Sequence, residues 1–347
     1  MRALIIGGTR NLGPGIVQAL LDLGYQVSVF NRGITSDDLP REVERLRGDR
    51  SVPTQLRAAL GGKEFDLVVD ATLYTGAEAQ AVVELFAGRV GRYIFLSTGQ
   101  VYLVRLGVQR PFKEEEYAGP VMEEPPVSDE SEHSNWLYGH DKRQAEDIFA
   151  RAWAESKFPY TSLRLPMVNS ERDHYGRIYG YWLRLRDGGP ILIPDGPGLP
   201  VRHVYGGDVI QAIKRLAQRN LGRGEAYNIG QDETLSLEEF LTLLAEFAHA
   251  PLQLARLPRE QLNSAGLLPD CSPFSGAWMS SLDNACSKAA LGMKYTPMRD
   301  YLAKLVQLFE SKPAKPTEGY GQRARELELA GDARDRDSQW TNRQTRF

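Results

Sequence analysis

The chain has 347 residues, a formal net charge of -3 and a sequence pI near 6.1. This length favours one large α/β domain with a smaller appended lobe over a string of small modules. The charge balance argues against a broad basic surface for nucleic acid or an anionic membrane, so a small molecule is the expected partner.

Neither a disulfide framework nor a metal site is expected from the sequence. The two cysteines, Cys271 and Cys286, are too few for the first and lie in no metal-ligand spacing. Three other candidate ligands also lack a convincing spacing: Asp173, His174 and His203. The apolar run at the N-terminus breaks at Gly7, too early for a signal peptide or a membrane span, so we expect a cytoplasmic protein.

Apolar runs of strand length alternate with helical periodicity through the first part of the chain. Residues 3–6 form an apolar run closed by glycines, which is typical of a strand buried on both faces. The predicted elements are strands at 3–6, 27–30, 66–69 and 93–96 and helices at 15–23, 52–60 and 77–87. Their alternation predicts a doubly wound parallel α/β sheet.

The second part of the chain has longer irregular stretches. Prolines and glutamates predict a surface loop over 104–134, and the shorter Gly- and Pro-rich segments beyond residue 187 predict a smaller lobe. Further predicted elements are helices at 138–155, 177–186, 237–247 and 298–309 and a strand at 160–165. The expected domains are a nucleotide-binding domain over 1–170 with contributions from 200–240, a substrate lobe over 171–310 and a tail over 311–347. Because the tail is polar, we expect it to be mobile or ordered only against another surface.

A glycine-rich turn joins the first predicted strand to the first predicted helix. Its sequence is Gly7-Gly8-Thr9-Arg10-Asn11-Leu12-Gly13. Glycine backbone in such a turn can approach a pyrophosphate closely, while the unpaired N–H groups and the positive end of the helix attract its charge. The turn therefore predicts a dinucleotide site, with an ordinary strand-to-helix turn as the alternative.

The same turn resembles the G-G-T-G-F-[IL]-G fingerprint of the extended short-chain dehydrogenases, with Arg10 in place of the middle glycine. This departure is similar to the G-G-T-R-F-[IL]-G subgroup of the NAD-dependent epimerase/dehydratase family. The resemblance implies a Rossmann sheet and an NAD(P) cofactor held by all the residues of the turn. It implies a place for Arg10 beside the cofactor phosphates, with a solvent-facing loop arginine as the alternative.

The choice of cofactor is expected to depend on the end of the second predicted strand. Family members that select NAD carry an Asp there for the ribose hydroxyls, whereas this chain has Asn31 and Arg32. Because a guanidinium can grip a 2′-phosphate that an acid would repel, NADP is favoured over NAD. The resemblance adds Asp49 as the adenine contact, with a helix N-cap as its alternative role, and further cofactor contacts at Ala71 and Pro166.

Tyr138 and Lys142 have the Tyr-x-x-x-Lys spacing, which on a helix places both side chains on one face. A nearby ammonium favours tyrosinate, and it can also hold the nicotinamide ribose. Residues 95–102 resemble the family's F-[IL]-S-[ST]-x-x-V-Y, which aligns Thr98 with the catalytic Ser/Thr. We therefore expect Thr98 to bind the substrate oxygen while Tyr138 exchanges its proton.

Two later segments extend the resemblance. Residues 163–166 are similar to the family's L-R-P strand end, whose backbone lies against the nicotinamide, and residues 226–230 are similar to its V-Y-N-[IV]-G strand. Both segments have a plain structural alternative. Arg164 is also suited to an ion pair at a strand end, and Asn228 to a turn.

The residues that follow Thr98 bear on the reaction. Family dehydratases carry Asp-Glu there to drive elimination of water, whereas this chain has Gly99 and Gln100, and an amide cannot act as a general acid or base. The expected substrate contacts are Thr98, Gln100, Arg177 and Arg202. Arg177 lies in an aromatic and basic stretch that suits either a nucleotide or the packing of the lobe.

A further comparison concerns the diphosphate of a sugar nucleotide. Sugar-nucleotide epimerases carry R-D-Y-I-H-V-x-D, in which the Arg that binds the diphosphate is separated from the Asp by six residues. In this chain Arg202 lies one position closer to Asp208. On a regular strand that places Arg202 on the opposite face, unless a bulge intervenes.

The sequence leads to three hypotheses about function. The first is an epimerase-like NAD(P) enzyme that moves a hydride at a carbinol carbon of a nucleotide-activated or otherwise glycosylated sugar. The second is an NADPH-dependent carbonyl reductase of a secondary-metabolite intermediate. The third is an RNA-binding or cofactor-sensing protein on the same fold, against which low basicity and the complete catalytic set argue. The resemblance also implies a homodimer formed through the helix that carries Tyr138.

Overall fold

The computed structural model describes residues 1–219, 221–313 and 315–331. Within these ranges the chain forms two compact units. The first contains Met1–Arg172, Arg202–Asp232 and Ser280–Thr296, and the second contains Asp173–Val201, Glu233–Met279 and the chain from Pro297 onward. None of the helices in the described ranges is long and apolar enough to cross a membrane.

The secondary structure is listed in chain order. The strands are β1 (Arg2–Ile6), β2 (Gln26–Asn31), β3 (Glu44–Arg47), β4 (Leu67–Asp70), β5 (Tyr93–Thr98), β6 (Tyr160–Leu165), β7 (Val168–Asn169), β8 (Ile191–Pro194), β9 (Val204–Tyr205), β10 (Glu225–Asn228) and β11 (Leu254–Leu257). The helices are α1 (Gly13–Asp22), α2 (Pro53–Leu60), α3 (Gly76–Phe86), α4 (Gln100–Leu103), α5 (Glu130–Ser156), α6 (Arg177–Asp187), α7 (Gly206–Gln218), α8 (Leu237–Phe247), α9 (Arg259–Ser264), α10 (Ala285–Leu291) and α11 (Met298–Glu310).

The first unit is built on a seven-stranded sheet with the order β10-β6-β5-β4-β1-β2-β3. Each neighbouring pair of strands is parallel. The direction of the strand order reverses between β1 and β4, and in such sheets ligands bind in the crevice beyond the carboxyl ends of the strands at that point. The prediction of a doubly wound Rossmann sheet is confirmed.

Two hydrophobic cores cover the two faces of this sheet. Alternate residues of β1 point to opposite faces. Ala3 and Ile5 belong to the core beneath α1 and α7, whereas Leu4 and Ile6 belong to the core beneath α2, α3 and α5. Because both faces are covered, the central strands are apolar runs without alternation, which is why the sequence pattern predicts them.

Several features of the first unit differ from the sequence prediction. β3 gives no strand signal because three of its four residues, Glu44–Arg47, are charged, as suits the edge of a sheet. α5 begins at Glu130, well before the predicted start, because Asp129 caps it by accepting a backbone hydrogen bond of 3.2 Å from its first turn. The predicted loop over 104–134 also contains a single 3₁₀ turn at Glu114–Tyr117.

The second unit contains a two-stranded parallel sheet of β8 and β11 together with α6, α8 and α11. The helices predicted at 237–247 and 298–309 are confirmed as α8 and α11. Neither strand is predicted by the sequence. β8 is an apolar run of only four residues, and β11 contains the exposed Arg256, so neither segment gives a distinctive period.

Part of the predicted tail is ordered against the second unit. Residues 323–331 are helical, and the side chains of Arg323 and Glu326 are buried. Glu326 forms a buried ion pair with Arg184 of α6, and Arg323 lies 2.7 Å from a carboxylate oxygen of Asp187. Residues 332–347 lie outside the described part of the chain.

Candidate active site

The glycine-rich turn lies at the carboxyl end of β1, beside the point where the strand order reverses. Gly7 and Gly8 have φ values of 103° and 90°, which L side chains rarely adopt. A Cβ atom added at Gly13 would lie 2.4 Å from the carbonyl carbon of Gly8, so the turn and α1 approach as closely as glycine allows. Because no side chain intervenes at these glycines, a pyrophosphate can come as close to the backbone of the turn as its binding requires.

The amino end of α1 carries no side-chain cap. Leu12 occupies the N-cap position, where it offers no side-chain acceptor, and the helix has a proline in its first turn. The first N–H groups of a helix have no partner within the helix, and together with the helix dipole they favour an anionic ligand. Thr9 is half-buried in the same turn.

Two side chains of the turn bind neighbouring loops. The exposed guanidinium of Arg10 donates to Thr35 Oγ1 at 2.8 Å from Nη2 and at 3.2 Å from Nε. On the other side, Ser170 Oγ donates to Asn11 Oδ1 at 2.5 Å. The glycine-rich turn is therefore held by the loop after β2 and by the loop after β7.

The side chains at the ends of β2 and β3 form the other half of the expected cofactor site. Asn31 Oδ1 accepts from Gly33 N at 2.9 Å and also from the guanidinium of Arg47. Arg32 is exposed. Asp49 accepts from the backbone and hydroxyl of Ser51, which lowers the pKa of its carboxyl. The N-cap of α2 is Val52, so the alternative role of Asp49 as a helix cap is wrong.

A buried ionic cluster that the sequence prediction missed lies between the ends of β3 and β4. Asp70 is fully buried, and Arg50 Nη1 donates to its two carboxylate oxygens at 2.6 and 2.7 Å. Tyr93 donates to Asp70 at 2.5 Å, and Arg50 also lies 3.3 Å from Glu78 of α3. Together these charges raise the pKa of Arg50, although burial opposes them. An Asp at the end of the apolar run Leu67–Asp70 is the signal that could have drawn attention to it.

Lys142 extends from α5 under the carboxyl ends of β4 and β5. Its ammonium donates to the backbone oxygen of Leu73 at 2.5 Å and to that of Leu96 at 3.0 Å. The side chain is 3% exposed, and Nζ lies 4.8 Å from the ring centre of Tyr74. Burial lowers the pKa of Lys142 to about 7, because the desolvation of the charge outweighs the attraction of Asp70.

Thr98 and Tyr138 are brought to the same end of the sheet by a close contact between helices. Thr98 is the last residue of β5, is 8% exposed and accepts from Gln100 N at 3.2 Å. A Cβ atom added at Gly139 of α5 would lie 2.7 Å from the backbone oxygen of Gln100, so α5 touches the start of α4 next to Tyr138. The ring of Tyr138 lies 6.0 Å from that of Tyr74. Lys142 Nζ lies 6.0 Å from the ring centre of Tyr138 and 3.0 Å from the backbone oxygen of Leu96, two residues before Thr98, so the three residues lie at the same end of the sheet.

Gly99, which follows Thr98, has no room for a side chain. A Cβ atom added there would lie 2.2 Å from Ser280 Oγ and 2.9 Å from Leu282 Cδ2. Hydrogen bonds of 2.8 Å join Phe112 N to Ser281 O and Asp283 N to Phe112 O, and they fix the segment that carries Ser280. The position of the elimination acid in family dehydratases is therefore closed in this chain. Sequence patterns gave no sign of this contact.

Arg164 is an ion-pair partner, as its structural alternative predicts. Its guanidinium binds Glu146 of α5 at 2.6 Å, and both side chains are about 5% exposed. Arg164 Nη1 also donates to the hydroxyl of Tyr102 at 2.6 Å, and that hydroxyl donates to Asn228 Oδ1 at 2.9 Å. Ser97 donates to Glu146 as well. These contacts cross-link β5, β6, β10 and α5.

The remaining expected site residues are distributed over both units. Ala71 lies beside the glycine-rich turn, where its N–H donates to Ile6 O at 3.0 Å, and Pro166 is buried directly after β6. Arg202 belongs to the first unit, whereas Arg177 belongs to the second, where it lies 3.4 Å from Asp173.

Asp208 does not share a strand with Arg202. β9 covers only Val204–Tyr205, and Asp208 lies in the first turn of α7, where it accepts from the backbone and hydroxyl of Thr296 at 2.9 and 2.8 Å. The comparison of strand faces across these two residues is therefore wrong, because the chain has entered a helix before Asp208.

The chain matches the NAD dependent epimerase/dehydratase family over residues 3–230. Among characterised proteins, it is 25% identical over 280 residues to the 2'-dehydrokanamycin reductase of Streptomyces kanamyceticus, which covers 78% of this chain and 75% of that protein. It is 23% identical over 251 residues to the chloroplast stem-loop binding protein of 41 kDa b from Arabidopsis thaliana, with 68% of this chain and 60% of that protein covered.

Solved structures of the same fold include two enzymes that act on nucleotide sugars. The UDP-glucose 4-epimerase of Thermotoga maritima, solved with UDP-glucose, superimposes with a TM-score of 0.71 at 20% identity and covers 90% of this chain and 99% of its own. The dTDP-glucose 4,6-dehydratase of Bacillus anthracis, solved with NAD, gives a TM-score of 0.70 at 15% identity and covers 90% and 97%. At these identities the likeness concerns the fold.

Proposed function

The chain belongs to the NAD dependent epimerase/dehydratase family, and we propose that it is an epimerase-like oxidoreductase that moves a hydride at a carbinol carbon of a nucleotide-activated or otherwise glycosylated sugar. The observation that carries this proposal is that Lys142 Nζ lies 6.0 Å from the ring centre of Tyr138 and 3.0 Å from Leu96 O of β5, the strand that ends at Thr98. Oxidoreductases of this kind need a proton-exchanging group and a cofactor cradle at one sheet edge.

The residues of the cradle fit an NAD(P) cofactor. Residues 7–13 would hold the pyrophosphate against the uncapped amino end of α1, with Asp49 on the adenosine side and Pro166 on the nicotinamide side. The cofactor, when bound, supplies a nicotinamide C4 that accepts or returns the hydride. We favour NADP because the charge of exposed Arg32 acts on Asp49 of the same proposed site and a guanidinium suits a 2′-phosphate.

The proton is moved by Tyr138 in this proposal. When the carbinol is oxidised, ionised Tyr138 accepts the hydroxyl proton while Thr98 Oγ1 donates to the same substrate oxygen, and the hydride leaves the carbon. The reverse step returns the proton from Tyr138. Lys142 lies within 6.0 Å of the Tyr138 ring centre, and its ammonium form stabilises the ionised tyrosine.

Elimination of water is not part of the proposed reaction. Gly99 and Gln100 supply no acid, and the contact of Gly99 with Ser280 leaves no room for one. Gln100 and Arg202 of the first unit are expected to contact the substrate. The reaction is then limited to hydride and proton transfer.

A net carbonyl reductase is the second candidate. The observation in its favour is the 25% identity, over most of both chains, to a protein named as a 2'-dehydrokanamycin reductase. A reductase uses the same three residues but must exchange its cofactor in every cycle. Net consumption of NADPH therefore separates the two candidates.

The test begins with mass spectrometry of nucleotide released by denaturation of the purified chain. The protein is then incubated with UDP-glucose, with UDP-galactose and, together with NADPH, with 2'-dehydrokanamycin, and products are followed by NMR and NADPH absorbance. Epimerised UDP-sugar without net use of cofactor supports the first candidate, and NADPH oxidation supports the second.

Two variants show whether the proposed residues act. Tyr138→Phe should abolish turnover but keep NADPH affinity, whereas the matched variant Tyr320→Phe, which removes a hydroxyl bonded to Asp187 in the second unit, should leave turnover unchanged. A wild-type chain without NAD(P) affinity would overturn the proposal. Salt-dependent RNA retention that survives Tyr138→Phe would support an RNA-binding protein instead.

A further inference from the structure

Three loops of the first unit form a closed ring of side-chain contacts beside the glycine-rich turn. They are the turn itself (residues 7–13), the loop after β2 (residues 32–38) and the loop after β7 (residues 170–172). Each loop contacts the other two. The contacts are Arg10 to Thr35, Ser170 to Asn11, and Arg172 to Asp38.

The contact between Arg172 and Asp38 closes the ring. Its two parallel hydrogen bonds run from Nη1 to Oδ1 at 3.0 Å and from Nη2 to Oδ2 at 2.8 Å, which is the bidentate geometry of an Arg–carboxylate pair. The guanidinium holds the pKa of the Asp38 carboxyl below its usual range. The two side chains are 52% and 65% exposed, so the pair can open into water and is sensitive to salt.

The two other contacts fix the ring to the turn. Ser170 is 8% exposed and donates to Asn11, whose φ of 47° turns the chain into α1. Arg10 reaches in the opposite direction to Thr35. These two contacts lie on residues of the glycine-rich turn directly before α1, so the ring includes the residues that would hold a pyrophosphate.

We propose that Asp38 and Arg172 form a clasp that retains NAD(P) on the glycine-rich turn. The inference rests on the cofactor assigned to this turn under the proposed function. In it, the pair opens when the cofactor enters or leaves and closes over the bound pyrophosphate. The two residues are positioning residues for the cofactor, because they act through the loops that they join.

The direction in which Asp38→Asn changes the release rate of NADPH distinguishes a clasp from simple electrostatics. Asp38→Asn removes a negative charge near an anionic cofactor, so charge alone predicts slower release of NADPH. A clasp predicts faster release, because the amide cannot form the bidentate ion pair. An exposed pair makes a small contribution, so we expect release to be about three- to fivefold faster.

The experiment measures the release rate of NADPH by stopped-flow fluorescence, with an excess of NADP⁺ as the displacing ligand. It compares the wild-type chain, Asp38→Asn, Arg172→Gln and the charge-swapped double variant Asp38→Arg/Arg172→Asp. The matched control is Glu246→Gln, which breaks the similarly exposed ion pair of Glu246 with Arg299 in the second unit. Thermal melting of each variant shows that it is folded.

The clasp predicts faster release in both single variants and a return toward the wild-type rate in the double variant. It also predicts that raising KCl from about 0.05 to about 0.5 M speeds release from the wild type more than from Asp38→Asn. Unchanged or slower release from Asp38→Asn would overturn the clasp while leaving the proposed function intact. A wild-type chain that binds neither NADPH nor NADH would overturn both.

Discussion

The buried ammonium of Lys142 makes a prediction about stability that does not depend on knowing the substrate. Its pKa falls from 10.5 to about 7 on folding, because the side chain leaves water almost completely. Between these two pH values the unfolded chain binds a proton at Lys142 that the folded chain does not. The free energy of unfolding therefore rises with pH across this window. Below pH 7 Lys142 is charged in both states, and the full cost of burying its ammonium then lowers the stability of the folded chain.

Lys142→Met removes this dependence and keeps a side chain of similar length. The shift of 10.5 to about 7 corresponds to about 5 kcal/mol at 1.36 kcal/mol per pH unit. Between pH 6 and pH 10 this penalty falls by about 4 kcal/mol, because titration of Lys142 in the unfolded chain is incomplete at pH 10. The loss of the hydrogen bonds to Leu73 and Leu96 also lowers the stability of the variant, but this effect does not change with pH.

The assay is urea denaturation of the cofactor-free protein at several pH values from about 6 to about 10, followed by intrinsic fluorescence. The stability of Lys142→Met minus that of the wild type should be greater at pH 6 than at pH 10 by about 4 kcal/mol. Lys157→Met, at an exposed position, serves as the control and should give a constant difference. A constant difference for Lys142→Met would refute the reasoning, because it would mean that the ammonium is solvated in the folded chain.

Three further substitutions follow from the geometry. Gly13→Ala should reduce NADPH affinity by at least tenfold in fluorescence titration, because its methyl group would lie 2.4 Å from neighbouring backbone. Glu146→Leu should lower the urea-derived unfolding free energy by about 3 to 5 kcal/mol, since Arg164 is left buried without its carboxylate. Gly99→Ala should lower the melting temperature, and adding Ser280→Gly should restore part of it, because the added methyl meets Ser280 at 2.2 Å; no restoration would contradict that contact.

Local sequence signals account well for the sheet and for the glycine-rich turn. β1 and β4 are mostly apolar runs of strand length, and such a run is typical of a parallel strand that is buried on both faces. The turn is recognisable because a close approach to phosphate requires glycine at fixed positions along the chain. α5 is underestimated because its first two turns are polar, and polar residues give no hydrophobic period.

Contacts between distant segments are the part of the site that the sequence does not reveal. Arg172 and Asp38 are separated by 134 residues, and each is an ordinary surface residue by itself. Ser280 meets Gly99 only because two backbone hydrogen bonds to Phe112 bring its segment to the end of β5. A glycine with an ordinary φ, such as Gly99, can be present for many reasons, and only the folded structure shows which one applies.

The clasp and the two candidate reactions make opposite demands on the cofactor. An epimerase-like enzyme needs its cofactor to remain through oxidation and re-reduction of the same carbon, whereas a reductase must release NADP⁺ in every cycle. In an epimerase, Arg172→Gln should therefore increase the fraction of turnovers that end in free keto-sugar and released NADPH. In a reductase limited by product release, the same variant should raise steady-state turnover. Because the two effects have opposite signs, this one substitution outside the catalytic set can separate reactions that share Thr98, Tyr138 and Lys142. A variant with neither effect would show that cofactor exchange limits neither reaction.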